Sequence, residues 1–108
     1  MTVSEMAARL GLTPVVEAEP DREVTGGYTG DLLSWVMGRA RAGDAWVTIM
    51  SNANIVAVAT LADTAAVVLA EGVALEADVV ALAQAKGINV YVSDENAFAI
   101  CGKLAALL

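Results

Sequence analysis

Residues 64–70 run Thr-Ala-Ala-Val-Val-Leu-Ala, with no polar residue after the first and no alternation. A strand without a polar side must be covered on both faces, and a mostly parallel sheet between helices does this. The segments that follow fit that arrangement. Glu71-Gly72 turns the chain. Glu76 to Lys86 has helical spacing, with Val79, Val80, Leu82 and Ala83 directed inward, and Gly87 stops it. Ile88 to Val92 is a second buried strand. Ser93 or Asp94 then caps a last helix whose Phe98, Ile100, Cys101, Leu104, Leu107 and Leu108 bury a face.

Upstream, Ala45 to Met50 (Ala-Trp-Val-Thr-Ile-Met) is a strong strand with Trp46 in the core. Ile55 to Leu61 reads as a short helix, although Val56 and Val58 leave a strand as its rival. Asp31 is the cap expected for a helix from Leu32 to Ala42. Leu32, Leu33, Val36, Met37 and Ala40 form its stripe, and Arg39 and Arg41 fall near its end, where cations suit the helix dipole. At the start of the chain, Ser4 caps a short helix that Gly11 closes. Leu12 to Glu17 makes a short strand, in which Pro14 points to a sheet edge or an irregular start. Short strands alternating with helices predict a three-layer α/β fold, a mostly parallel sheet of about four to five strands with helices on both faces. A single domain is expected over residues 1–108.

Composition excludes several kinds of function. The net charge is −7 with six Lys and Arg, so a basic face for nucleic acid or acidic lipid is not expected. The chain contains no His, which removes the commonest general base and transition-metal ligand. A single cysteine, Cys101, allows no internal disulfide and suits a reducing compartment. Mean hydropathy is high at +0.62, yet no run reaches the roughly 18 apolar residues of a membrane span. The opening Met-Thr-Val-Ser-Glu lacks the pattern of a signal peptide, so a cytoplasmic protein is expected.

Two segments stand out as candidate binding sites. Gly26, Gly27, Tyr28, Thr29, Gly30 and Asp31 read as a glycine-rich loop ahead of a helix, where backbone amides can cradle an anion. Asp31 stands where a phosphate loop has Lys, so a phosphate-loop enzyme is excluded, and a plain turn capped by Asp31 competes with binding. Ser51, Asn52 and Asn54 follow a strand, the place where open α/β sheets bind ligands, although the same residues are ordinary turn formers. Trp35 lies beside the stripe of its helix, which makes it a candidate interface residue as much as a core one. The acids Glu17, Glu19, Asp21 and Glu23 alternate like a solvated loop and lack a calcium-loop pattern. No catalytic residue, metal ligand or cofactor motif emerges.

Several segments together resemble the DRTGG-domain family: Thr2-Val3-Ser4-Glu5 with Leu10-Gly11-Leu12, Asp21-Arg22-Glu23-Val24-Thr25-Gly26-Gly27-Tyr28, and Asp31-Leu32-Leu33-Ser34-Trp35-Val36-Met37. Trp46-Val47-Thr48 and Asn54-Ile55-Val56-Ala57-Val58-Ala59 continue the similarity over nearly the whole chain. Glu23 and Val24 separate Asp-Arg from Thr-Gly-Gly in this sequence. Domains of this family are similar to the N-terminal domain of HPr kinase/phosphorylase. The resemblance implies a non-catalytic regulatory or sensory domain that binds a small anionic metabolite or nucleotide. It would act as a homodimer or on a metabolic enzyme or signalling protein. A protein-interaction scaffold without a small ligand is the alternative.

Overall fold

The first helix is set by a reciprocal cap at its start. Thr2 Oγ1 accepts the Glu5 amide at 3.1 Å, and the Glu5 carboxylate accepts the Thr2 amide at 3.2 Å. The cap is therefore Thr2 rather than Ser4, because only Thr2 has a Glu three residues on to complete the box. A computed structural model describes every residue from Met1 to Leu108. The elements are α1 (Val3–Leu10), β1 (Thr13–Val16), β2 (Gly26–Thr29), α2 (Leu33–Arg39), β3 (Asp44–Thr48), α3 (Asn54–Ala62), β4 (Ala66–Leu69), α4 (Ala77–Lys86), β5 (Val90–Val92) and α5 (Ala97–Leu107).

The five strands lie in the order β1-β5-β4-β3-β2. β2 through β5 are parallel neighbours, and β1 adds to the outer side of β5 in the antiparallel sense. Pro14 lies on that edge, facing Tyr91, where its missing N–H costs no ladder bond. Period-two alternation divides the core into two layers. Trp46, Val67, Leu69 and Val90 pack beneath Val36 of α2, Ile55, Val56 and Ala59 of α3, and Val79 and Ala83 of α4. Ala45, Val47, Ala66, Val68 and Tyr91 point the other way, onto Val3, Met6 and Leu10 of α1 and Ile100 and Leu104 of α5. The sheet is thus covered on both faces, as the apolar run at 64–70 requires.

Several local expectations are corrected. Gly26–Thr29 is a strand rather than a loop, because it pairs along β3 in register. α2 begins at Leu33, so Asp31 lies too early to reach the first-turn amides, and Leu32 takes the cap position without a side-chain bond. The helix ends at Arg39, because the chain must turn back into β3, and the Arg41 amide binds Asp44 Oδ2 at 2.8 Å in that turn. Of the predicted stripe only Val36 is fully buried, while Leu32 and Met37 are exposed. The last helix is capped by Asn96, which accepts the Ala99 amide at 2.8 Å. That start turns Phe98 outward, 89% exposed, while Ile100 and Leu104 face the sheet. Ile55–Leu61 is helical, within α3.

Candidate functional site

The carboxyl ends of the parallel strands form one rim. Asp31 follows β2 there, and its Oδ1 accepts the Thr48 hydroxyl at 2.7 Å and the Ile49 amide at 3.0 Å from the end of β3. A carboxylate on a hydroxyl is the geometry of an activated nucleophile. Thr48, however, is only 1% exposed, and its oxygen also accepts the Met50 amide at 3.2 Å. The group ties β2 to β3. Asn52 Oδ1 accepts the Asn54 amide at 3.0 Å, so this pair shapes the turn into α3, and Ser51 is half-buried beside it. Further along the rim, a groove of about 460 Å³ lies beyond β5. Asp94, Glu95 and Lys103 line it, and Glu95 already holds Lys103 at 2.5 Å. This end of the sheet is acidic and ill-suited to an anion.

Gly26, Gly27 and Tyr28 are brought together elsewhere, along the open edge of β2. With Thr25, Ala42, Asp44 and two arginines, Arg39 and Arg41, they line a groove of about 440 Å³. Neither arginine joins an ion pair; the chain's salt bridges are Met1 to Glu23, Arg22 to Asp63 and Lys103 to Glu95. Both glycines also serve packing. A Cβ on Gly26 would come within 2.6 Å of Asp44 Oδ1, and one on Gly27 within 3.1 Å of Leu104 Cδ2. Thr29 sits at the far end of the strand, its hydroxyl donating to the Val47 carbonyl at 3.1 Å. The structure therefore separates the predicted residues. Gly26, Gly27 and Tyr28 share the arginine groove, while Thr29, Asp31, Ser51, Asn52 and Asn54 lie at the carboxyl rim.

Arg39 and Arg41 were not legible as site residues, because their sequence position fits a helix end. Their convergence depends on β2 lying alongside the α2–β3 turn. Trp35 is 53% exposed, and the Arg39 guanidinium carbon lies 3.9 Å from its ring centroid. Leu32, one helical turn before it, is exposed as well. Trp46, by contrast, is fully buried and donates its indole N–H to the Gly30 carbonyl at 2.9 Å.

The acids of the loop before β2 have local partners. Glu17 accepts the Tyr91 hydroxyl at 2.9 Å, and burial followed by this carboxylate drives the Tyr91 pKa well above the usual tyrosine range. Glu19 is clasped through its backbone by the Asn89 side chain, and Glu23 binds the N-terminal ammonium at 3.0 Å. No group of three or more His, Cys, Asp or Glu is placed to hold a metal ion. No helix is long and apolar enough to cross a membrane. Cys101 is half-buried against the layer of α1 and α5.

Fold and grooves together define a three-layer α/β domain with an open strand edge flanked by arginines. The chain is similar to a solved structure of the CBS and DRTGG domains of the regulatory region of Clostridium perfringens pyrophosphatase, in complex with the activator diadenosine tetraphosphate. The TM-score is 0.74 over 95% of this chain, with 13% sequence identity. At that identity the likeness is one of fold. This chain corresponds to 45% of the length of that one. No protein-family model and no curated protein sequence matches the chain.

Proposed function

We propose that this chain is a non-catalytic regulatory domain of the DRTGG type, and that it binds a small anionic ligand in the groove beside β2. The observation that carries the reading is the meeting of Gly26, Gly27 and Tyr28 with two arginines that have no carboxylate partner. The space that side chains would take at Gly26 and Gly27 is filled by Asp44 and Leu104, so binding rests on the arginines: a guanidinium without an ion pair has its donors free for an anion. The likeness to a regulatory region that binds a dinucleotide activator supports the same class of role. So does the burial of Thr48, which leaves its contact with Asp31 as a structural one. The module would act as a homodimer or on a partner enzyme, as the family resemblance implies, and the resemblance to HPr kinase/phosphorylase concerns its non-kinase domain.

A thermal-shift panel of nucleotides, phosphates and organic acids tests this, since a ligand that binds the native state raises the melting temperature by mass action. At least one anion is expected to stabilise the chain, and a flat response across the panel refutes the reading. A second reading rests on Trp35. Its exposure beside Leu32 suits a contact with another protein, and light scattering of the isolated chain shows whether that protein is a second copy.

A further inference from the structure

We propose that the groove beside β2 is a site for a phosphoryl group, held by Arg39, Arg41 and the N–H of Gly27, and that Arg39 leaves the Trp35 ring to hold it. This rests on the anion-binding reading above and narrows it to one ligand class and one moving part.

The chain carries a net charge of −7, and two of its six Lys and Arg, Arg22 and Lys103, are already held by Asp63 and Glu95. Arg39 and Arg41 are free and line the same groove. The one carboxylate there is Asp44, whose Oδ2 is engaged by the Arg41 amide. Backbone polarity adds to the side chains. Gly30 donates its N–H to the Val47 carbonyl at 3.2 Å, so the alternation of a parallel ladder turns the amide of Tyr28 toward β3, while before the strand it is Thr25 whose amide binds the Gly43 carbonyl, at 3.0 Å. The amides of Gly27 and Thr29 then face the open edge, where no strand takes them. Two guanidinium forks and an edge amide call for several acceptor oxygens around one centre. A phosphoryl group offers three in a tetrahedral array, whereas a carboxylate offers two in a plane.

Arg39 has two possible partners. Its contact with Trp35 is a cation–π contact at an exposed site, which is weak beside a pair of charge-assisted bonds to phosphate. An arriving phosphoryl group therefore draws the guanidinium off the ring. The indole and Leu32 lose their cationic cover, so occupancy of the groove changes the apolar surface that a partner protein would meet.

The test uses the full chain and inorganic pyrophosphate, followed by calorimetry and by tryptophan emission, with the buried Trp46 as a constant background. Saturable binding with a change in emission is expected. Arg41→Gln should weaken it roughly 10- to 100-fold, the worth of a lost charged hydrogen bond, with an unchanged melting curve. Trp35→Phe should bind pyrophosphate but lose the emission change. If citrate binds through Arg41 and pyrophosphate does not, the phosphoryl assignment fails while the anion reading stands. If neither binds, nor ATP, both fail. Binding indifferent to Arg41→Gln overturns the groove, and binding with unaltered emission overturns the exchange at Arg39.

Discussion

Replacing Asn89 by Ala should be among the most damaging single changes outside the apolar core. Asn89 is 2% exposed and follows α4 at the entry to β5. Its Oδ1 accepts the Glu19 amide at 2.8 Å, and its Nδ2 donates to the carbonyls of Glu19 and Ala65, each at 2.9 Å. One side chain thus clasps the loop before β2 to the amino end of β4. Glu19 is exposed, so water can take over its backbone groups, and losing those bonds costs about 0.5–1 kcal/mol each. Ala65 is buried, and its carbonyl left without that donor costs about 1–3 kcal/mol. The sum is about 2–5 kcal/mol, a large share of the roughly 5–15 kcal/mol that holds a domain folded. Urea unfolding followed through Trp46 emission measures it, and hydrogen exchange at the Glu19 amide should accelerate in parallel. Asn89→Asp should be at least as costly at neutral pH, because a carboxylate has no donor for either carbonyl. A loss below about 1 kcal/mol with Glu19 still protected would sink the idea that this clasp holds the loop.

Tyr91 gives a pH prediction of definite sign. Its folded pKa is raised above the unfolded value of about 10, so its contribution is fully present below pH 10 and lost as pH rises further. Stability should therefore decline in alkali by up to about 1.4 kcal/mol per pH unit, and Tyr91→Phe should flatten that decline in urea melts taken at successive pH values. Gly26→Ala should destabilise by disturbing Asp44 and the turn it binds, visible as a lower melting temperature, whereas Gly38→Ala, whose Cβ would meet nothing within 4 Å, should be neutral or stabilising. Phe98→Ser should leave the urea midpoint within about 0.5 kcal/mol of the parent, since that ring packs against almost nothing.

The layered architecture could be read from residues whose environment is set by their own neighbours. Val67 and Val68 point to opposite cores, and the unbroken run around them announces that both faces are covered. Gly11 and Gly87 end their helices in the left-handed conformation that their sequence positions suggest. Gly26–Thr29 was illegible as a strand because its own residues do not favour one; pairing with β3 imposes it. Phe98 was misplaced because the start of α5 at Asn96 fixes the phase of the whole helix, and Ser93 and Asp94 compete for the same role in sequence. The anion groove was half visible. Its glycines stand out, but its arginines belong to another element and meet them only through the fold.

The placement of β1 at the far side of β5 has a consequence for how the chain is made. Every parallel pair is joined by one intervening helix, so β2 through β5 can assemble in the order in which they leave the ribosome. β1 is the exception, since Thr13 has to wait for Val92. α1 waits too, because Met6 and Leu10 share their native cluster with Ile100 and Leu104 of α5. Within this domain, the segment synthesised first is thus among the last to find its place. Until then Val3, Met6 and Leu10 form a short apolar helix face in water, which is the stage at which a nascent chain of this design depends most on a chaperone.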